Sequence, residues 1–162
     1  MSHLGERFGI RGEKGSAGEV WMYNKLKERY TVKDYRTDFV LQTQGIDFGI
    51  SLPAWRREFT LDVKTNLYTP PENWYGFKLE LQRANKAGWL FTSKADRIYH
   101  VNAFQGKYLY YDLNEMRYYI TKKLLDNNMD NFTITKIDGD ILLQIKIIKD
   151  TAHDVPVSNI FY

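Results

Sequence analysis

The chain has 162 residues, of which 43% are apolar and 15% aromatic, and none is cysteine. This length and apolar share predict one domain over residues 1–162, and the lack of cysteine excludes disulfides, zinc–thiolate sites and cysteine nucleophiles. The net charge of +3 permits binding to a nucleic acid without requiring it.

The N-terminal residues 1–14 are rich in glycine and charge, which predicts a mobile basic arm that contacts DNA phosphates through Arg11 and Lys14. A phosphate-binding loop over Gly12–Gly18 is disfavoured, because no Gly-Lys-Ser/Thr ending follows and no apolar strand precedes. The segment has no hydrophobic signal core, and no apolar run reaches the roughly 18–20 residues of a membrane span. We therefore expect a cytoplasmic protein with no membrane partner.

Apolar residues at helical spacing predict a first helix over residues 17–30, with Ser16 as N-cap and Glu19 completing a capping box. Alternating apolar residues then predict three strands, at Tyr35–Gln42, Ile46–Leu52 and Arg57–Thr65.

The second half of the chain has clearer turn signals. Asp112 is a candidate N-cap for a helix running to about Leu125, with Glu115 as its capping partner. Asp138-Gly139 is a strong hairpin signal. The remaining predicted elements are a strand at Phe77–Leu81, a short helix at Gln82–Leu90, a strand pair at Arg97–Asn102 and Lys107–Asp112, and a hairpin of Phe132–Ile137 with Ile141–Lys149.

Two acids and a lysine stand on neighbouring predicted strands. Asp47 lies at the head of the second strand, and Asp62-Val63-Lys64 lies within the third. Side chains two positions apart in a strand share a face, so we expect Lys64 beside Asp62 and the Val63 side chain in the core. Mg²⁺ prefers carboxylate, water and phosphate oxygens, so Asp47 and Asp62 fit as ligands, with the Val63 backbone carbonyl as another. The Lys64 ammonium would orient the attacking water and contact the scissile phosphate.

This pattern resembles the PD-(D/E)XK nuclease superfamily, which includes type II restriction enzymes, archaeal Holliday-junction resolvases and RecB-like nucleases. The likeness covers residues 15–65 well, and Ser93–Tyr99 looks like the strand that follows in resolvase-like members. The chain departs from the superfamily in lacking a proline-containing lead before Asp47 and a clearly marked helix in 70–93. Gln82 is a weak match to a glutamine of RecB-like members.

The resemblance implies an α/β fold, with a restriction-endonuclease-like mixed central sheet flanked by helices and an additional C-terminal β-hairpin. It also implies that Asp47 and Asp62 bind Mg²⁺, for which Mn²⁺ substitutes, and that Lys64 assists the nucleophilic water. Glu19 would act on the metal directly or through water. DNA is the implied partner, and cutting both strands would favour a homodimer.

Each of these residues also has a structural interpretation. Asp62 and Lys64 would make an exposed ion pair worth about 0–1 kcal/mol, Glu19 would only cap its helix, and Asp47 would end a turn. Asp38 competes with Asp47 as the first acid, although it lacks the preceding Gly-x.

The remaining chemistry-bearing residues give weaker signals. The histidines at 3, 100 and 153 are isolated, without the i, i+4 partner of a zinc site. The tyrosines at 108, 110, 111, 118 and 119 favour a core or a dimer interface over base stacking.

The sequence thus predicts a Mg²⁺-dependent deoxyribonuclease, an endonuclease of resolvase-like or structure-selective type. A non-catalytic nucleic-acid-binding or regulatory module on the same fold is the alternative. A protein-interaction module with an aromatic binding face is the third interpretation.

Overall fold

The computed structural model describes residues 17–162. The predicted basic arm and the Ser16 cap lie outside these residues. The elements in chain order are α1 (17–27), β1 (Thr31–Asp34), α2 (Phe39–Thr43), β2 (Phe48–Ser51), β3 (Phe59–Lys64), β4 (Trp74–Arg83), β5 (Lys86–Ala87), α3 (Trp89–Thr92), β6 (Arg97–Asn102), β7 (Lys107–Asp112), α4 (Leu113–Leu125), β8 (Phe132–Ile137) and β9 (Asp140–Ile148).

The strands form two open sheets, and the fold is mixed α/β as predicted. The first sheet has the order β1-β2-β3-β6-β7, in which β3 and β6 are parallel and the other neighbours antiparallel. Because β3 and β6 run the same way, their carboxyl ends at Lys64 and Asn102 lie at one edge of this sheet. The second sheet has the order β5-β4-β9-β8 and is antiparallel throughout.

Apolar side chains cover both faces of the first sheet. On one face, Met22 and Leu26 of α1 belong to a buried cluster with Leu61 and Val63 of β3, so the Val63 side chain lies in the core as predicted. On the other face, the second sheet and α4 pack against the first. The fully buried members of that cluster include Phe77, Leu79, Ile98, Leu109, Met116, Ile120, Leu143 and Ile145. The central sheet is thus covered by a helix on one side and mainly by a second sheet on the other.

The prediction of a strand over Tyr35–Gln42 was wrong. The first strand of the sheet is β1, which ends at Asp34, and the chain then turns into the five-residue helix α2. Asp38 starts this helix because its carboxylate accepts a hydrogen bond from the Leu41 N–H at 3.0 Å. The first predicted helix is likewise shorter than expected, ending at residue 27 instead of 30.

The prediction of a helix over Gln82–Leu90 was also wrong. β4 continues to Arg83 and returns as β5, with Ala84 and Asn85 at positive φ in the turn. β4 pairs with β9 from Trp74 to Gln82, so a strand about 60 residues away in sequence determines the conformation here. The C-terminal hairpin β8–β9 forms as predicted, but through this pairing it belongs to a four-stranded sheet.

Other local predictions are confirmed. β6, β7 and β8 have the predicted bounds, and the Asp112 carboxylate caps α4 by accepting a hydrogen bond from the Glu115 N–H at 3.0 Å. Tyr108 and Tyr111 are buried in the core, whereas Tyr118 is exposed. Within residues 17–162 no helix combines the length and apolar character needed to cross a bilayer.

Candidate metal centre

Asp47 lies where the pairing of β2 with β3 ends. Its N–H donates to the Leu61 carbonyl at 2.8 Å, the last backbone bond between the two segments. Beyond this point its side chain replaces the missing strand partner, since Asp47 Oδ2 accepts a hydrogen bond from the Val63 N–H at 2.8 Å. The Asp47 carboxylate is therefore fixed against the edge of β3, and the residue is only 7% exposed.

Asp62 is more deeply buried, at 4% exposed. The Lys64 Nζ is 3.1 Å from Asp62 Oδ2, which confirms that the two side chains share a face of β3. The ammonium is not aligned for a hydrogen bond, however, and Asp62 Oδ2 receives none from the described residues. Gly45 borders this oxygen: a Cβ there would be 3.3 Å from Asp62 Oδ2, and its φ of +72° favours glycine. A buried carboxylate oxygen that has an ion-pair partner but receives no aligned hydrogen bond keeps the capacity to coordinate a cation.

The carboxyl groups of Asp62 and Glu19 hold their protons unusually tightly. Burial raises the pKa of Asp62 to about 7, with the Lys64 ammonium opposing the rise and Asp47 adding to it. Burial also raises the pKa of Glu19 to about 7, and Asp47 adds to this rise while Arg36 and Lys64 oppose it. Like charges close together favour protonation, and a bound cation would reverse that preference. The structure therefore brings Glu19, Asp47, Asp62 and Lys64 into one electrostatic group.

The position of Glu19 depends on the residue before it. Gly18 packs so tightly on the end of β3 that a Cβ in its place would overlap the Thr65 side chain. Glycine at this point lets α1 approach the strand that carries Asp62 and Lys64. Sequence analysis identified Glu19 but gave no role to Gly18, because a single glycine at a helix start has many explanations.

Gln42 is a residue of the site that sequence analysis missed. Its amide nitrogen donates to the Ile46 carbonyl at 2.6 Å and contacts Asp47 Oδ1 at 3.3 Å. The side chain reaches the site only because α2 forms where a strand was predicted, so no sequence pattern pointed to it. Asp38, the rival first acid, is the exposed cap of α2, and Gln82 donates to the Gly139 carbonyl in the β8–β9 turn.

A fully buried histidine lies behind the two charged residues of β3. His100 pairs in register with Lys64, and its ring contacts Asn66 Oδ1 at 2.5 Å and the Tyr111 hydroxyl at 2.8 Å. Because the Asn66 amide nitrogen donates to the Lys78 carbonyl, its oxygen faces the ring, so we assign the proton of the neutral ring to Nδ1, with Tyr111 donating to Nε2. Burial holds the pKa of His100 well below its usual value. This neutral network closes the inner side of the site.

The donor set fits a hard cation better than zinc. The available groups are the carboxylate oxygens of Asp47 and Asp62 and the backbone oxygen of Val63, and Mg²⁺ prefers such oxygens. Val63 exposes its carbonyl on the same strand edge as the N–H that contacts Asp47, beyond the last residue paired with β2. No three Asp, Glu, His or Cys side chains within residues 17–162 are close enough to share one ion.

No family model matches the chain, and searches of curated proteins and of solved structures found no match either.

Proposed function

We propose that this protein is a Mg²⁺-dependent nuclease that hydrolyses DNA phosphodiester bonds, on a restriction-endonuclease-like core formed by α1, β1–β3 and β6. The observation that carries the proposal is the buried Asp62 carboxylate beside Asp47, whose Oδ2 has the Lys64 ammonium as an ion-pair partner at 3.1 Å but receives no aligned hydrogen bond from residues 17–162. An arrangement that raises the pKa of two carboxyl groups to about 7 costs stability, and such groups concentrate at functional sites.

The order of elements supports the same core. A helix is followed by three antiparallel strands and then by β6, which pairs parallel to β3. Asp47 immediately precedes the second of these strands, and Asp62 and Lys64 lie on the third, in the order found in the superfamily that the sequence resembles. The β4–β5 hairpin and the short helix α3 take the place of the longer helix expected between β3 and β6.

Asp47, Asp62 and the Val63 carbonyl would hold the cation. Since no third acidic side chain is close enough to share the ion within residues 17–162, Glu19 takes the water-mediated role. When bound, the metal would neutralise phosphate charge and lower the pKa of a coordinated water. Gln42 keeps the Asp47 carboxylate oriented through its contact with Oδ1.

Lys64 has the second role in the reaction. Its ammonium lies between the Asp62 carboxylate, 3.1 Å away, and the Trp89 ring, whose centroid is 4.9 Å away. This position lets the ammonium hold both the attacking water and a phosphate oxygen by hydrogen bonds. The water gives up a proton to solvent as its oxygen attacks phosphorus, the bond from phosphorus to the leaving oxygen breaks, and the leaving alkoxide takes up a proton from solvent.

The test is cleavage of supercoiled plasmid by wild-type protein, Asp62→Ala and Lys64→Ala, each with Mg²⁺, Mn²⁺ or EDTA. Lys146→Ala, at an exposed lysine on β9, is the matched control. We expect nicking by wild type and by the control with either metal, none in EDTA, and loss of cleavage in both site variants while their unfolding transitions remain cooperative. Metal-dependent cleavage by pure Asp62→Ala protein would refute the assignment. Salt-sensitive DNA binding without cleavage by wild type would instead indicate the non-catalytic module.

A further inference from the structure

A groove of about 520 Å³ begins directly beside the candidate metal centre. We call it the Phe104 groove. It lies at the carboxyl ends of β3 and β6, and its lining includes Gly18, Thr65, Tyr68, Asn102 and Phe104. Gly18 and Thr65 are the chain neighbours of Glu19 and Lys64. The groove and the candidate metal centre therefore share the start of α1 and the end of β3. Ligands commonly bind at the carboxyl ends of parallel strands.

Two aromatic side chains border this groove, and each extends from hydrogen-bonded backbone. Phe104 is 99% exposed at the tip of the β6–β7 turn. That turn is held by a hydrogen bond from the Gln105 N–H to Asn102 Oδ1 at 3.1 Å. Tyr68 is 39% exposed, and its N–H and carbonyl exchange hydrogen bonds of 2.8 and 2.9 Å with Gly76 of β4. Rings presented by rigid backbone lose little entropy when a planar ligand stacks on them.

The charges around the groove suit a phosphate-bearing ligand. The Lys78 ammonium is 5.5 Å from the centroid of the Tyr68 ring. Lys78 makes no ion pair with the carboxylates of residues 17–162. The groove's lining, as far as the structure describes it, contains no carboxylate. A cation beside exposed aromatic faces is a combination that single-strand binders use.

We propose that the Phe104 groove binds an unpaired nucleobase of single-stranded nucleic acid, with Lys78 contacting a phosphate of its backbone. The inference rests on the proposed function and narrows its substrate to DNA that has a single-stranded segment near the cleavage point. Bases inside a duplex are stacked on their neighbours and cannot enter a groove of this kind without being extruded. The base would stack on Phe104 or Tyr68, with its phosphate held by the Lys78 ammonium.

The experiment is fluorescence anisotropy in EDTA, so that binding is measured without cleavage. Two labelled ligands of about eight nucleotides, within the site sizes of single-strand binders, are compared: oligothymidylate and an abasic backbone of the same length and charge. We expect wild type to prefer the thymidylate. Phe104→Ala and Tyr68→Ala should each weaken thymidylate binding about 5- to 100-fold, leave abasic binding within about two-fold, and so remove the preference. Because Phe104 is almost fully exposed, its loss should not affect folding.

Tyr118→Ala is the matched control, since Tyr118 is an exposed tyrosine on α4 outside the groove. Equal binding of both ligands by wild type overturns the inference. It is also overturned if Tyr118→Ala weakens thymidylate binding as much as Phe104→Ala does. The cleavage test separates the two proposals. If wild type cleaves DNA with metal but binds thymidylate and abasic backbone equally, the groove proposal alone is overturned. If wild type prefers thymidylate, loses that preference in Phe104→Ala and cleaves nothing, the groove proposal is supported and the nuclease proposal is refuted.

Discussion

Replacing Asp62 with asparagine should stabilise the metal-free protein while abolishing cleavage. The folded-state pKa of Asp62 is raised from 3.8 to about 7, and each pKa unit corresponds to about 1.4 kcal/mol. Keeping the carboxylate ionised above pH 7 therefore costs the folded protein about 4 kcal/mol. Asparagine has nearly the same shape and carries no charge. This cost already includes the attraction of the Lys64 ammonium, so we expect a gain of up to about 4 kcal/mol in the free energy of unfolding at about pH 8.

The pH dependence gives this prediction its signature. A carboxyl group with a raised folded-state pKa contributes stability that is complete below the unfolded pKa and lost as pH rises through the folded one. The advantage of Asp62→Asn over wild type should therefore grow between about pH 4 and 7, by up to about 1.4 kcal/mol per pH unit, and stay constant above. Urea unfolding in EDTA at about pH 5 and about pH 8 measures it. Added Mg²⁺ should raise the Tm of wild type only.

Asp96→Asn is the matched control, because Asp96 belongs to the same sheet region and shows the opposite effect. Burial alone would raise its pKa, but hydrogen bonds from Thr60 and Arg57 hold it below its usual value. This variant should lose stability at about pH 8, with a smaller loss as pH falls. If Asp62→Asn is destabilised, or differs from wild type equally at both pH values, then Asp62 stabilises the fold and the reasoning fails.

Three further predictions concern the geometry of the site. Gly18→Ala should reduce cleavage at least about ten-fold, although alanine favours the helix by about 1 kcal/mol. Adding Thr65→Ser removes the methyl group that the new Cβ would overlap and should restore activity. Failure of this second substitution to restore cleavage would refute the packing of α1 on β3 as the cause. Gln42→Leu should lower the initial nicking rate by about 10- to 100-fold, because Asp47 would lose the contact that orients it. The midpoint of urea unfolding should change little, since Gln42 is exposed. An unchanged nicking rate would show that Gln42 has no part in the site. Cleavage at sub-saturating Mg²⁺ should rise with pH through about 7, where Glu19 and Asp62 lose their protons. A profile flat between about pH 6 and 8 would contradict the roles given to these two carboxylates.

Several elements follow from short-range physics and were predictable from the sequence. The alternating residues of 97–102 and 107–112, the Asp112 cap and the Asp138-Gly139 turn each depend on groups a few residues apart. The same holds for the placement of Lys64 beside Asp62, which requires only the two-residue period of a strand. The mixed α/β class was implied by the family resemblance and is confirmed at that level.

The features that make the cluster chemically unusual depended on tertiary structure. The β4–β9 pairing extended the strand predicted at 77–81 to Gln82, where a helix was predicted to begin, and α2 brought Gln42 to Asp47. Burial raised the pKa of Asp62, and the packing of Gly18 on Thr65 placed α1 against β3. By itself the sequence determined which residue types are present and how their strands alternate. Solvent exclusion and the proximity of distant segments arise only when the whole chain packs, because burial and long-range pairing depend on partners that no local pattern specifies.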